Sequence, residues 1–402
     1  LLHVKKDLYS FRPFTVVEVL YRSETIPRPR SGHRIACVGG NIYLYGGYNP
    51  TLTDDDASEE SNPTWTYENP LFKELWVYNI AKRTWRLHRH IQNMPEELAS
   101  SAMTAFGKHL LIYGGTGVPF GNKCNDNVIV WDTRNKYYKR GRFMIPDTTG
   151  DVPQGMYGQC IVCYDGYLYS IGGTDGFVYN CDVHRLNLET MEWRTLFYGH
   201  GHHDEPGGRY RHEVMVYDNK LFVLGGGTSN LVFKLHTIPV FDLTTNTWSH
   251  QASKPDQSFI NPVGPQGRKC HSAVQLKAPA NNQVYLACGY SGDHLFGCIW
   301  LLDLKDLQWT LMKKSFLPSQ LYFHSSIMTD EGCMYVFGGI EMDATDMCRN
   351  NNMHKMWACI PKLSEIAWDA VSHYYTNMRN TSRRSLLQLG IPSHFVERVW
   401  PK

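Results

Sequence analysis

The sequence predicts an all-β fold: a six-bladed β-propeller over residues 12–358, closed by an N-terminal strand and followed by a small α-helical box over 359–402. Six hydrophobic runs end in a glycine pair or near-pair: "IYLYGG" at Gly47, "LLIYGG" at Gly115, "YLYSIGG" at Gly173, "LFVLGG" at Gly226, "VYLACG" at Gly289 and "MYVFGG" at Gly339. Each is followed by a second strand-like run, from "LWVYNI" to "MHKMWA", so the chain repeats every 50 to 68 residues. From Pro361 the glycine pairs stop and helical spacing takes over.

Composition narrows the class. The 40 basic and 38 acidic residues leave a net charge of +2 with no long basic run, which favours neither nucleic acid nor an anionic membrane. At 42% hydrophobic and 13% aromatic residues the chain has material for a large core. No run of eighteen apolar residues marks a membrane-spanning helix. The eleven cysteines are scattered, which suits a reducing cytoplasm or nucleus. Cys160 and Cys163 are close, but in a strand they face opposite sides and cannot share a metal, so no metal or cofactor is expected.

The N-terminal run "FTVVEVLY", Phe14 to Tyr21, has the composition of a strand and belongs to no repeat. The sixth unit lacks a closing aromatic, since Trp357 aligns with its third strand, so the N-terminal run is expected to complete that blade and seal the ring. In the other units Trp85, Tyr137 or Tyr138, Trp193, Trp248 and Trp309 fill the wedge between sheets. Runs such as "LFVLGGG" are apolar on both faces, as a strand between neighbouring blades must be.

The loops leading into the first strand of each blade should surround one mouth of the central channel. Five align on a His or Gln slot: His33, Gln159, His212, His271 and His324, while "ELASS" at Glu97 to Ser101 does not fit. The two positions before that slot are Ser31 and Gly32, Tyr157 and Gly158, Tyr210 and Arg211, Lys269 and Cys270, Tyr322 and Phe323. One side is small; the other brings Arg211 and Lys269 among aromatic rings, which suits an anionic group such as a C-terminal carboxylate. Tyr48, Thr116, Thr174, Ser229 and Tyr290, after the glycine pairs, should join them. Arg30, Arg209 and Arg268 recur in one slot and, like the histidines, read as residues that hold the repeat. "GHGHHDE", His200 to Glu205, reads as a solvated loop rather than a metal site. The acidic run from Asp54 to Glu60 reads as a surface loop.

In the tail, Leu363, Ile366, Ala367, Ala370, Val371 and Tyr374 form an apolar helix stripe. A short helix ends at Gly390, and Pro392 suits the first turn of another helix carrying Phe395, Val396 and Val399.

The strand–Gly-Gly–strand–aromatic repeat resembles kelch propeller blades. The tail resembles an Elongin C-binding box at Leu363, Ala367 and Val371, and a cullin-2 box at Ile391, Pro392, Phe395 and Val399. Together they resemble the kelch-repeat substrate receptors of Elongin B/C–cullin-2 ubiquitin ligases. The resemblance implies a non-catalytic receptor that binds C-terminal degrons ending in glycine or alanine in the propeller channel. It would dock Elongin B, Elongin C and cullin-2 through the tail for proteasomal degradation of its clients. Those relatives carry an arginine where this chain has Gly227 and a serine where it has Lys269, so carboxylate binding would fall to Arg211 and Lys269. The alternative is a kelch scaffold in cytoskeletal or signalling complexes. A kelch copper oxidase would need tyrosine and histidine ligands that no arrangement here supplies.

Overall fold

The computed structural model describes residues 8–52, 65–134, 141–277, 280–343 and 346–400. Both the acidic run at 54–60 and the pair Tyr137 and Tyr138 lie outside these residues. The glycine repeats build six antiparallel sheets around one axis. The innermost strands are Arg34–Val38, Ala102–Phe106, Cys160–Tyr164, Glu213–Tyr217, Ser272–Gln275 and Ser325–Met328, each beside the next, with the last beside the first. Their apolar side chains interleave with those of adjacent sheets, so most of the core lies between blades.

The first glycine of each pair must take a left-handed φ where the chain leaves the second strand against the neighbouring blade. A Cβ at Gly46 would stand 2.5 Å from the Leu98 carbonyl oxygen, closer than any side chain tolerates. Trp193 and Trp309 are fully buried between sheets, as their spacing predicts. In the second blade Phe143 takes this role, fully buried 5.0 Å from the Trp131 ring and 5.9 Å from Tyr45. Cys160 packs toward blade four and Cys163 toward blade two, the opposed facing that strand alternation requires.

The N-terminal strand closes the ring. Val17–Glu18 pairs antiparallel with the long strand Asp346–Trp357 of the sixth blade, and flanking bonds from Phe14 N to Trp357 O (2.9 Å) and Val19 N to Met353 O (2.8 Å) extend the ladder. Val19 is buried, and the Tyr21 ring lies 6.1 Å from Tyr78 and from Trp85, supplying the aromatic that the sixth repeat lacks.

Three α-helices follow among the described residues, α1 (Leu363–Tyr374), α2 (Arg383–Gln388) and α3 (Ser393–Val399), with a 3-10 helix at Thr376–Asn380 between the first two. Pro392 stands one residue outside α3, as its N-cap, rather than within its first turn. Trp368, Met378, Leu386, Phe395, Val396 and Val399 form a small core of their own around Ala81, a turn residue of blade one. The tail thereby lies against the propeller face opposite the glycine pairs. Asn79 Nδ2 donates to Arg398 O (2.7 Å), and Arg398 pairs with Glu331 of blade six at 3.0 Å and with Glu365 of α1 at 2.7 Å. No helix among the described residues is long and apolar enough to cross a membrane.

Removing residues 1–24 strips the edge cover from blade six, so the melting temperature measured by scanning fluorimetry falls and the exposed edge promotes aggregation; an unchanged melting temperature would show the strand to be dispensable.

Candidate functional site

The loops that lead into the blades meet at the axis. Gly32, Ser100, Gly158, Arg211, Cys270 and Phe323 all have φ between 54 and 68°. Each donates its backbone N–H to the carbonyl of the equivalent residue in an adjacent blade: Ser100 to Gly32 (2.8 Å), Gly158 to Ser100 (2.9 Å), Arg211 to Gly158 (2.7 Å), Cys270 to Arg211 (3.1 Å), Phe323 to Cys270 (3.0 Å) and Gly32 to Phe323 (3.1 Å). The six bonds close a circle. The residue before each ring member bridges the residue after the glycine pair, as Ser31 bridges Tyr48 and Lys269 bridges Tyr290. The second blade obeys the same frame through Ala99, Ser100 and Ser101, correcting the expectation that "ELASS" does not fit; serine simply replaces the histidine.

The residues behind the ring hold the repeat together. Arg30, Arg209 and Arg268 each donate through Nη1 to a carbonyl at the glycine turn, Gly46, Gly225 and Cys288 (2.9 to 3.0 Å), and lie over Phe72, Phe233 and Phe296. In blade one Arg30 also pairs with Glu74 at 2.6 Å. His33 and His212 touch the Phe337 and Ile171 carbonyls of the preceding blades at 3.0 and 3.1 Å. Burial, with the nearby Arg209 charge, pulls the His212 pKa down to about 3, so the ring is a neutral wedge.

Arg211 dominates the mouth. Its side chain crosses the axis to the opposite side of the ring, where Nη2 bonds the Ser100 hydroxyl and lies beside Gly32, and its guanidinium sits 4.7 Å from the Phe323 ring. It is only 4% exposed, and burial, with the Arg34 charge beside it, lowers its pKa to about 10, which still leaves it charged at neutral pH. Below it Arg34 of blade one reaches across to Glu213 of blade four at 3.1 Å. Glu213 is bonded to Arg34 and not to Arg211, and Arg211 Nε has no hydrogen-bond partner among the described residues. Arg211 and Arg34 therefore both cross the axis just below the ring, from blade four toward blade one and from blade one toward blade four.

The other expected residues divide. Lys269 is buried and its Nζ is held by the Thr228 and Ser229 carbonyls (2.6 and 3.1 Å), so it braces a loop of the neighbouring blade rather than standing beside Arg211. Thr116 and Thr174 are fully buried, their hydroxyls bonded within their own loops, and so present nothing to a ligand. Tyr157 and Tyr210 meet edge to face with centroids 6.3 Å apart; Tyr290, Tyr322 and Phe323 form a second group at 5.2 to 5.5 Å. The Ser31 hydroxyl accepts from Arg349 Nε (2.9 Å), whose guanidinium lies 5.1 Å from the Tyr48 ring; Ser229 is exposed at the rim.

Sequence reasoning missed Arg349, Ser100, Tyr179 and the Arg34–Glu213 pair. Counting back from the strand at Ala102 would have found Ser100. Arg349 follows its glycine pair by ten residues on a long hairpin, and nothing local marks it.

In the tail Leu363 is 79% exposed, and Ala367 and Val371 share its open face; α1 turns Trp368 and Ser372 inward, not the apolar stripe. Ile391 is partly buried and Pro392 exposed. Phe395 and Val399 are buried, Phe395 stacked on Trp368 at 4.9 Å, so they shape the tail from inside and cannot be contact residues as folded here.

The sequence matches a family model described as the KLHDC2/KLHL20/DRC7 Kelch-repeats domain, over residues 3–226 and 199–382. The chain belongs to the kelch-repeat family. It is 42% identical over 98% of its length to the Kelch domain-containing protein 10 homolog of Drosophila melanogaster, 66% of which it spans. Identity to Kelch domain-containing protein 10 of Rattus norvegicus is 37% over 93% of this chain and 86% of that protein, and to that of Homo sapiens 37% over 94% and 81%. Within this kelch frame the arginines of the Arg30 slot are structural. Replacing Arg30 with Met strands the Glu74 carboxylate in the interior, and urea denaturation should register a loss of about 3–5 kcal/mol; a near-neutral result would free Arg30 for another role.

Proposed function

We propose that this kelch propeller is the substrate-recognition subunit of an Elongin B/C–cullin-2 ubiquitin ligase, holding the C-terminal end of its clients at the axial mouth. The observation that carries the reading is Arg211: a buried, charged guanidinium 4.7 Å from the Phe323 ring, whose Nε has no hydrogen-bond partner among the described residues and whose neighbouring carboxylate, Glu213, is bonded to Arg34. A terminal carboxylate supplies the missing counter-charge, and it reaches that depth only if the last residue is small, glycine or alanine. Arg349, whose pKa burial pulls down while the Tyr48 and Tyr322 hydroxyls offset it, stands at the rim as a second cation. Lys269 contributes positive potential while its ammonium fixes the loop at Ser229.

The tail supports the other half of the reading. Leu363, Ala367 and Val371 project from one side of α1 on the face away from the mouth, as the Elongin C-binding box requires, so client and ligase can be held at once. Ile391 and Pro392 lead into α3, whose outward face would meet cullin-2, with Phe395 and Val399 fixing its orientation from within.

A peptide ending in glycine binds at least about tenfold, or 1.4 kcal/mol, tighter as the free acid than as the amide in a fluorescence-polarisation titration, and Arg211→Leu abolishes the difference; equal binding of acid and amide removes the carboxylate from the account. Leu363→Asp eliminates co-purification of Elongin B and Elongin C without lowering the melting temperature, because that side chain touches no core; retention of the complex would count against the box.

A further inference from the structure

A second polar site lies beside blade three, where the repeat is broken in a consistent way. In blade one, Arg30 precedes the bridge residue Ser31, stacks on Phe72 and pairs with Glu74, the residue just before the third strand. The registers place Asp182 in the Glu74 slot, since Ile171 opposes Val183 as Tyr45 opposes Leu75. The arginine slot, however, holds Met156, and Asn180 stands opposite Gly173 where Phe72 bonds the corresponding glycine. Blades four and five keep the arginine but have Thr237 and Cys298 in the acid slot, while blades two and six have neither member. Blade three alone has the carboxylate without its guanidinium.

The exchange of arginine and phenylalanine for Met156 and Asn180 leaves a cavity of about 590 Å³, within the range of about 300–1,000 Å³ that holds small ligands and side chains. Its walls carry Asp151, Asp175, Asp182 and Glu205 and no lysine or arginine among the described residues. Asp182 is 7% exposed; one oxygen accepts from Gly199 N (2.8 Å) and the other lies 4.0 Å from His184 Nε2, too far for a hydrogen bond. Burial raises the Asp182 pKa, with the Glu205 charge contributing, and lowers that of His184 to about 4, leaving the imidazole neutral. Two further lining groups, Gln159 Oε1 and Tyr113 Oη, belong to side chains 1% and 2% exposed and have no hydrogen-bond partner among the described residues. Ser170, facing His184 across the ladder, occupies a slot filled by Leu44, Ile112, Val223, Leu286 and Val336 in the other blades. The Gly-His loop that sequence reading left as solvated lines the outer wall through Gly199, Gly201 and His202.

We propose that this groove is a receptor site for a guanidinium group brought by the ligand, an arginine side chain of the bound protein, with Asp182 taking it as Glu74 takes Arg30. Tyr179 lines the groove and meets Tyr210 at 5.3 Å, so the site adjoins the tyrosines of the axial mouth. The arginine therefore lies upstream of a chain whose end is at Arg211, and this placement rests on the function proposed above.

Two measurements on the full chain test it. Free-acid peptides with one arginine walked through the upstream positions are compared with the same peptides carrying citrulline, which keeps the shape and removes the charge. At one position arginine should bind about tenfold tighter. Asp182→Asn or Ser170→Val should erase that preference while leaving citrulline peptides unaffected. Equal binding of the two series at every position, with the preference for the free acid intact, overturns this site and spares the function above. The second measurement needs no peptide: Met156→Arg refills the slot from within, so it should raise the melting temperature in the parent chain and not in Asp182→Asn. A fall of equal size in both backgrounds overturns the proposal. N-acetyl-arginine methylamide serves as the free probe: competition with the arginine peptide at matched concentrations would assign the site to small guanidinium compounds, and its failure to compete, with the peptide preference present, assigns it to a protein side chain.

Discussion

Six backbone hydrogen bonds joining Gly32, Ser100, Gly158, Arg211, Cys270 and Phe323 in a circle fix where every other part of this propeller lies. Each sheet is a separate antiparallel unit, and apolar contact between sheets is tolerant of sliding. A closed loop of directional bonds is not, because displacing one blade along the axis breaks two bonds at once. The ring demands a left-handed backbone at every member, which costs an ordinary residue about 1–3 kcal/mol. Glycine meets that demand at positions 32 and 158, and at 158 a side chain would also collide with the Tyr210 ring. Ser100, Arg211, Cys270 and Phe323 accept the strain, and the side chains of Ser100, Arg211 and Phe323 meet across the ring.

Stabilising elements repeat, and their repetition made them legible. Glycine pairs, arginines over a phenylalanine and neutral histidines at the preceding blade's carbonyl recur at matching positions, so the sequence shows both the blade count and the holding role of Arg30, Arg209 and Arg268. The closing strand was legible by subtraction, since the sixth repeat lacked an aromatic and Tyr21 had no blade. What was not legible depends on contacts far apart in the chain. Trp368 turns the tail's apolar stripe outward because Phe395, 27 residues later, stacks on it. Lys269 looks free in sequence, yet two carbonyls forty residues earlier capture it. Arg349 reaches Ser31 from the opposite end of the chain. The register of "LASS" was hidden because alanine and serine replace the residues that mark the frame elsewhere.

Departures from sixfold repetition mark the two candidate sites, and both are imbalances of charge. At the axis, Arg34 and Arg211 stand against Glu213 alone, an excess of one positive charge held out of water. Beside blade three, Asp182 stands without the arginine that its counterpart Glu74 possesses, an excess of negative charge in a cavity walled by three more carboxylates. Each imbalance costs desolvation energy that hydrogen bonds within the fold, such as Gly199 N to Asp182 and Arg211 to Ser100, offset only in part. Loss of that cost on ligand binding is a source of affinity, and the residues responsible need not resemble any motif.

The two imbalances also impose a direction. Tyr210 and Tyr179 lie between them, so a single extended chain could touch both, but only with its anionic end at Arg211 and a cationic side chain toward Asp182. The reverse orientation sets a cation against Arg211 and leaves the carboxylates facing one another. Like charges at such separations in a half-buried site cost several kcal/mol, far more than any difference in aromatic contact between the two orientations. Chain polarity, rather than the identity of any one client, is what this arrangement of arginines and aspartates can discriminate most strongly.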